Sequence, residues 1–484
     1  MLTSLPPTQH RVTADLTRLS PDAVTLAEVL KGAGYRTAGF VSGPYLRAEY
    51  GHRQGFDHYD DYSAMPLVWN AHKKITSPSL YRIVTGWLDE WSHGSQQKPF
   101  FIFLHMWDVH YDYNAPSPYG EMFDPDYTGK ITSRNFETNS AIRKGMNPRD
   151  LEHIVAEYDG EIRYTDHYLG KLFDYLRERG LYDNMVIAVT ADHGEEFLEH
   201  GEKGHRKSLY DEVLLVPLIV RYPPKVAAGA TVNEQVRLLD LGPTLLSLAG
   251  VAKPASFGMQ EGKPEEFGHD VSVLLDADAS QRPPVPPAYG VLSWFLGSVR
   301  TNDWKLVIHV AGDPKPELYD LRKDPGEHTN LAGEETARLD DFYKRLMAFR
   351  RAGKDMQLVE KIEVDPDHLE ALRTLGYITD YVEKAASTDV KMISPIPGST
   401  LTEPTVTFRW EADGEVHQYY LKVGQAVNVG DVYEKDQALR TAATVTKIPL
   451  DGKPLYVRVF FRPGKKKWEH RDFIYQTTSA REAP

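Results

Sequence analysis

The stretch that most constrains this chain runs from Met185 to Pro217, MVIAVTADHGEEFLEHGEKGHRKSLYDEVLLVP. It opens with an apolar, β-branched run, Met185 to Val189, whose length and content predict a buried strand. The run stops at Thr190-Ala191, and Asp192-His193-Gly194 follows at once. In a parallel α/β sheet, ligands gather just beyond the carboxyl ends of the strands. An Asp and a His placed there back to back are set to hold one divalent metal, because a carboxylate oxygen and an imidazole nitrogen both bind one when deprotonated. Gly194 is expected to turn the chain sharply without steric cost. His205, Arg206 and Lys207 come next, three groups able to carry positive charge, and then a second apolar run, Val213 to Val220. A metal and cations in one fold-back loop suit a densely negative substrate, a sulfate or phosphate ester. Taken singly, Asp-His-Gly is a common turn and His-Arg-Lys a common solvated loop; their order between two apolar runs is what favours a site.

That order resembles the sulfatase branch of the alkaline phosphatase superfamily. The family shows Asp-His-Gly or Asp-Asn-Gly, then a Lys and a His before Ser-Leu-Tyr-Asp/Glu, then Val-Pro-Leu-Ile. The resemblance implies metal binding, to calcium, by Asp192 and His193, and sulfate contact by Lys207, with Arg206 as its alternative and His205 as a further candidate. Leu2 to Val12, LTSLPPTQHRV, is similar to the family's Leu-Thr-Gly-Leu-Tyr-Pro-Ser-x-His-Gly-Val. In the family that segment follows Cys/Ser-x-Pro-x-Arg, whose first residue becomes the formylglycine nucleophile, and an apolar strand ending in two further metal-binding aspartates. Neither stands ahead of it here. The resemblance therefore implies an N-terminally truncated sulfatase-like domain without its first strand, half its metal ligands and its nucleophile, which puts turnover by this chain in doubt.

Thr25 to Ala33 predicts an amphipathic helix with a Thr25/Glu28 capping box and a stop at Gly34, followed by a buried strand over Tyr35–Val41. Where many sulfatases then carry Gly-Lys-Trp-His, this chain reads Ser42-Gly43-Pro44-Tyr45, so two groups that usually bind sulfate are missing. Pro99 to Leu104 predicts another buried strand, ending at His105-Met106-Trp107-Asp108-Val109-His110. A His at that rim could protonate a departing alkoxide or bind ester oxygens, and a structural His beside aromatics is the competing explanation. The family places a sulfate-contacting His here, and His110 matches it best, ahead of Asp108 and His105. Leu151 to Arg179 predicts a long helix stopped by Gly180, and its Tyr158-Asp159-Gly160-Glu161 marker is read as structural. Helix, strand and the run Val213–Val220 give the alternation of a parallel α/β sheet. Pro243 suits the first turn of a helix over Leu238–Leu246, Pro254 to Pro287 a loop, Ala288 to Val310 antiparallel strands turning at Asn302-Asp303, and Arg338 to Met347 a closing helix.

The expected fold class is thus α/β: an alkaline-phosphatase-like sandwich with a central, mostly parallel sheet and a small C-terminal antiparallel sheet, plus a separate all-β sandwich. The expected division is 1–381 for the sulfatase-like domain, 382–391 for a linker and 392–484 for a fibronectin-III- or immunoglobulin-like β-sandwich, whose aromatics are read as core sooner than as a glycan surface. A net charge of -13 argues against nucleic acid as a partner, and the absence of cysteine removes disulfides and thiolate chemistry. No apolar run approaches the roughly 18 residues of a membrane span. The first residues do not read as a signal peptide; a periplasmic or extracellular site would need a longer N-terminus, and the compartment is left open. The expected partner is a sulfated small molecule or glycan. Two rivals stand beside the sulfuric ester hydrolase: a phosphoesterase or phosphotransferase of the same superfamily using Mn2+ or Zn2+, and a non-catalytic remnant that binds anionic glycans.

Overall fold

The structure is a computed structural model that describes residues 1–13, 15–63, 75–94, 98–258, 267–275, 285–292, 296–309, 315–351, 362, 364, 366–374, 390–412, 416–426, 429–463 and 468–478. Residues 382–389 of the expected 382–391 linker and parts of the expected 254–287 loop lie outside the described residues. The chain separates into two compact units, Met1–Val310 with Lys315–Tyr377, and Ile378–Pro484 with Ala311–Pro314.

In the first unit a short helix α1 (Pro7–His10) precedes α2 (Leu26–Gly32). The Thr25 hydroxyl accepts the Glu28 N–H at 3.1 Å and the Glu28 carboxylate accepts the Thr25 N–H at 2.9 Å, so the expected capping box forms. Strand β1 (Arg36–Val41) pairs in parallel with β2 (His58–Asp60) and β3 (Phe100–His105). Helices α3 (Ser77–Ser92) and α4 (Pro148–Glu178) close one face, burying Leu80, Val84, Leu172 and Leu176 on Ala38 and Phe40. Each buried leucine or valine contributes about 1.5–3 kcal/mol. Asn147 caps α4, its side chain accepting the Arg149 N–H at 3.0 Å.

Strand β4 (Ile187–Thr190) forms where the first apolar run predicts it, but it is half-buried. Among the described residues it pairs only with β7 (Leu218–Arg221), and antiparallel. The parallel continuation expected from Val213–Val220 is corrected here. A parallel return needs a crossover of about a dozen residues or more, usually a helix. The intervening chain instead holds a two-stranded hairpin, β5 (Glu196–Phe197) with β6 (Lys203–Gly204), and one helical turn, α5 (Asp211–Leu214). It folds back on itself through a bond from the Gly194 N–H to the Val213 carbonyl at 2.8 Å, and so re-enters in the opposite sense. The second apolar run is accordingly split between α5 and β7 and is not buried throughout; Leu215 and Ile219 are exposed.

Helix α6 (Leu238–Leu248) starts earlier than its proline suggests, so Pro243 lies inside it, not in its first turn. Strands β8 (Ala288–Leu292), β9 (Leu296–Arg300), β10 (Trp304–His309) and β11 (Pro316–Asp320) make an antiparallel meander with the expected turn after Arg300. It is covered by α7 (Thr336–Arg351) through Phe342 and Leu346. A last helix, α8 (Pro366–Thr374), sets His368 against Tyr50. The parallel sheet, its helices and the C-terminal antiparallel sheet give the α/β class expected.

The second unit is all β: β12 (Val390–Ser394), β13 (Thr400–Leu401), β14 (Thr405–Ala412), β15 (Val416–Gly424), β16 (Tyr433–Ala438), β17 (Ala442–Thr446), β18 (Leu455–Pro463) and β19 (Glu469–Thr477). They form sheets of order β12-β14-β17 and β13-β19-β18-β15-β16 around one core that includes Phe408, Leu421, Val459 and Phe461. Trp410 and Tyr419 lie in that core.

Candidate active site

The carboxyl ends of β3 and β4 carry the candidate residues. His105 ends β3; the Ser42 hydroxyl donates to its carbonyl at 2.9 Å, and its ring lies so close to Gly43 that a Cβ there would come within 2.9 Å of Cε1. The His105 Nδ1 is buried without a hydrogen-bond partner. Burial lowers the His105 pKa, while the neighbouring Asp192 works the other way. Asp192 itself is exposed: desolvation by the surrounding chain opposes its charge, and His193, His105 and backbone N–H groups outweigh that and hold its carboxyl below the usual range.

His193 Nδ1 lies 2.8 Å from the Gly194 carbonyl, which can only accept, so the proton sits on Nδ1. The lone pair on Nε2 then faces Asp192 Oδ2 at 3.8 Å. Two lone-pair donors facing each other with no proton between them suit a cation, and the orphaned His105 nitrogen lies in the same neighbourhood. The pair therefore fits part of a metal's donor set. Among the described residues no cluster of three or more His, Cys, Asp or Glu is placed around one point.

His205 is the hub of the site. It is buried, with its ring 4.1 Å from that of His193, 5.4 Å from His110 and 5.3 Å from Tyr111. Its Nδ1 donates to the Glu195 carboxylate at 2.9 Å, whose other oxygen accepts the Tyr113 hydroxyl at 2.9 Å. Desolvation, with His193 beside it, depresses the His205 pKa to about 3, so the ring is neutral. Desolvation pushes Glu195 up to about 7 against the pull of Tyr113, His193 and Lys207.

His110 stacks on Trp107 at 4.0 Å between centroids and donates from Nδ1 to the Tyr111 carbonyl at 2.7 Å. Lys207 donates to Glu137 at 2.6 Å and to the Lys203 carbonyl at 2.8 Å. Arg206, its alternative, is turned toward Asp15 at 2.9 Å, which also accepts the Tyr45 hydroxyl at 2.8 Å. The structure thus brings Asp192, His193, His205 and His110 into one cluster, with Lys207 adjoining through Glu195 and Glu137. Asp108 is not part of it. Its carboxylate accepts the Thr76 N–H at 2.6 Å and the Ser77 N–H at 2.7 Å, pinning the start of α3.

The base of the loop is fixed by buried charge. Lys305 on β10, fully buried, donates to Asp211 and to Glu327, each at 2.8 Å, and Arg300 on β9 donates to Asp211 at 2.8 Å. Gly194 is not in a left-handed conformation. It is glycine because a Cβ would come within 2.0 Å of the Glu212 carbonyl as the loop closes on itself. Sequence reasoning missed Glu195, Glu137 and Tyr113. Glu195 had a local signal, since it directly follows Asp-His-Gly; Glu137 had none, since its role depends on a partner 70 residues away.

A family model described as Sulfatase matches residues 1–251, more than half of the chain. The chain belongs to the sulfatase family. Among its relatives, this sulfatase-family chain is 27% identical over 306 residues to arylsulfatase K of Xenopus laevis, a match covering 54% of this chain and 53% of that protein. It is 28% identical over 221 residues to an N-acetylglucosamine-6-O-sulfatase of Bacteroides thetaiotaomicron, covering 45% and 39%. It is 26% identical over 304 residues to the multifunctional alkaline phosphatase superfamily protein PehA of Trinickia caryophylli, covering 55% and 58%. The chain spans about half the length of the curated relatives it matches. Its fold is shared with BT4656, solved with its substrate D-glucosamine-2-N,6-O-disulfate, at a TM-score of 0.57 and 19% identity over 73% of this chain and 87% of that one. It is shared too with the phosphonate monoester hydrolase of Agrobacterium radiobacter, at 0.54 and 20% identity over 73% and 85%.

Proposed function

We propose that the chain is a metal-dependent hydrolase of sulfuric esters, acting on a sulfated small molecule or glycan. The observation that carries this reading is the convergence of Asp192, His193, His205 and His110 at one sheet rim, with Lys207 adjoining. Asp192 and His193 would hold a divalent ion, calcium by family resemblance. Such an ion supplies charge stabilisation to the ester oxygens. Lys207, His205 and His110 bind and polarise the ester, and none of them is its attacking nucleophile. Lys207 offsets negative charge on the sulfuryl group. Neutral His205, its Nδ1–H held by Glu195, directs Nε2 away from that carboxylate. His110, its ring stacked on Trp107, would meet the leaving oxygen. The sulfated substrates of the sulfatase relatives and of the BT4656 complex support the substrate class.

The phosphoester reading is favoured by one observation. The loop after β1 places Ser42 and Gly43 against His105 at the position where many sulfatases carry Gly-Lys-Trp-His. Binding of inorganic sulfate and inorganic phosphate to the full chain, titrated calorimetrically with calcium, manganese or zinc present, tests both. Metal-dependent sulfate binding that is lost in Asp192→Asn and in Lys207→Met supports the sulfatase reading. Preference for phosphate with manganese or zinc supports the rival. Binding of anionic glycans that persists without any metal overturns both in favour of a non-catalytic binder.

A further inference from the structure

We infer that Glu161, Glu157, Asp112 and Glu137 form a chain of carboxylates that sets the separation of His110 and Lys207, with helix α4 as its rigid base. The inference rests on the reading of His110 and Lys207 as the groups that face the ester. Glu161, buried on α4, spans both ends of the loop that carries His110: one oxygen accepts the Val109 N–H at 3.1 Å and the other the Asn114 N–H at 2.7 Å. Val109, just before His110, has φ +81°, a conformation that a β-branched residue avoids and that needs holding from outside. Within the same loop Asp112 repeats the device. Its two oxygens accept the Asn135 N–H at 2.6 Å and the Phe136 N–H at 2.9 Å. Phe136, fully buried, is followed by Glu137, which receives Lys207 at 2.6 Å. Glu157, one turn before Glu161 on the same face of α4, accepts the Ser133 N–H at 2.6 Å and ties the second segment to the same helix.

A carboxyl group that meets one N–H at each oxygen fixes both the position and the rotation of the backbone it holds. Two such clamps in series, with α4 behind both segments, leave little freedom between the His110 ring and the Lys207 amine. Among the described residues, Asp192 and His193 pair with each other and the Gly194 carbonyl, not with these four. They are positioning residues.

The test uses the full chain and two measurements that need no substrate: hydrogen exchange in peptides covering 109–114 and 133–137, and the rate at which acetic anhydride modifies Lys207, with Lys435 as an internal control. In Glu161→Ala both peptides exchange about tenfold faster and Lys207 is modified several-fold faster, while Lys435 is unchanged. Glu161→Gln, which keeps one acceptor and nearly the same volume, gives an intermediate effect and decides the matter if the alanine variant does not fold. If only 109–114 loosens, with 133–137 and Lys207 as in the parent, the coupling is overturned. Sulfate titration of the parent chain separates the two claims. Coupling without sulfate binding leaves the carboxylate chain standing and removes the sulfatase reading; sulfate binding without coupling does the reverse.

Discussion

Gly194 shows what a single missing methyl group can do. Its Cα lies where the returning chain passes, and any side chain there would push the Glu212 carbonyl away. Gly194→Ala should lower stability by about 1–3 kcal/mol, the range for forcing atoms into a packed region, read as a fall in urea midpoint with unchanged slope. The sign for Glu161 is equally definite. Burial pushes it up to about 8 from an ordinary 4.5, against two backbone N–H bonds that favour its charge. The folded state therefore holds a proton that the unfolded state has released, and this contribution is present below 4.5 and lost as the pH rises through 8. In Glu161→Gln that dependence should disappear, so the difference in melting temperature between parent and variant should shift progressively between pH 5 and 8 and then level off. Asp192 and His193 could be singled out in the sequence because they directly follow an apolar run, and His110 only through its match to the family pattern. Asp108 was misplaced for the same reason: position at a strand's end says nothing about which way a side chain turns, and a helix start 31 residues earlier in the chain claims it.

At the scale of elements, local chemistry was readable and pairing was not. The capping box of α2 depends on residues three apart, so the sequence carries it. Thr25→Ala should cost about 1 kcal/mol in a denaturant titration. The sense of β7 relative to β4 depends on how 27 residues of loop fold, and the apolar pattern of Val213–Val220 fits either sense. The anchor of that loop was equally hidden, since Lys305, Asp211 and Glu327 look like ordinary surface charges until the meander folds over them. Breaking a buried ion pair on one side strands the other charge. Lys305→Met should therefore destabilise by about 3–5 kcal/mol in urea unfolding, more than the same change at the exposed Lys344.

For the molecule as a whole, two compact units with separate cores should not melt as one two-state system. Phe461→Ala, which opens a cavity in the β unit's core, should lower one calorimetric transition by an amount worth about 3–5 kcal/mol and leave the other in place. The sequence pointed to a β-rich second part after the expected linker, and the aromatics Trp410 and Tyr419, read there as core, do lie in its core. The long-range coupling of α4 to the site was not readable, because Glu157 and Glu161 follow an ordinary helical period and reveal their duty only when two distant loops dock on them.

The backbone bond from Gly194 to Val213 closes the intervening residues into a ring whose neck is narrower than its body. A protease that cut at the tip, near Gly201, would leave two stubs still fastened at the neck, with His193 on one and His205 on the other. If the proposed site binds metal and sulfate, such a nicked chain should bind them as the intact chain does while running as two fragments on a denaturing gel.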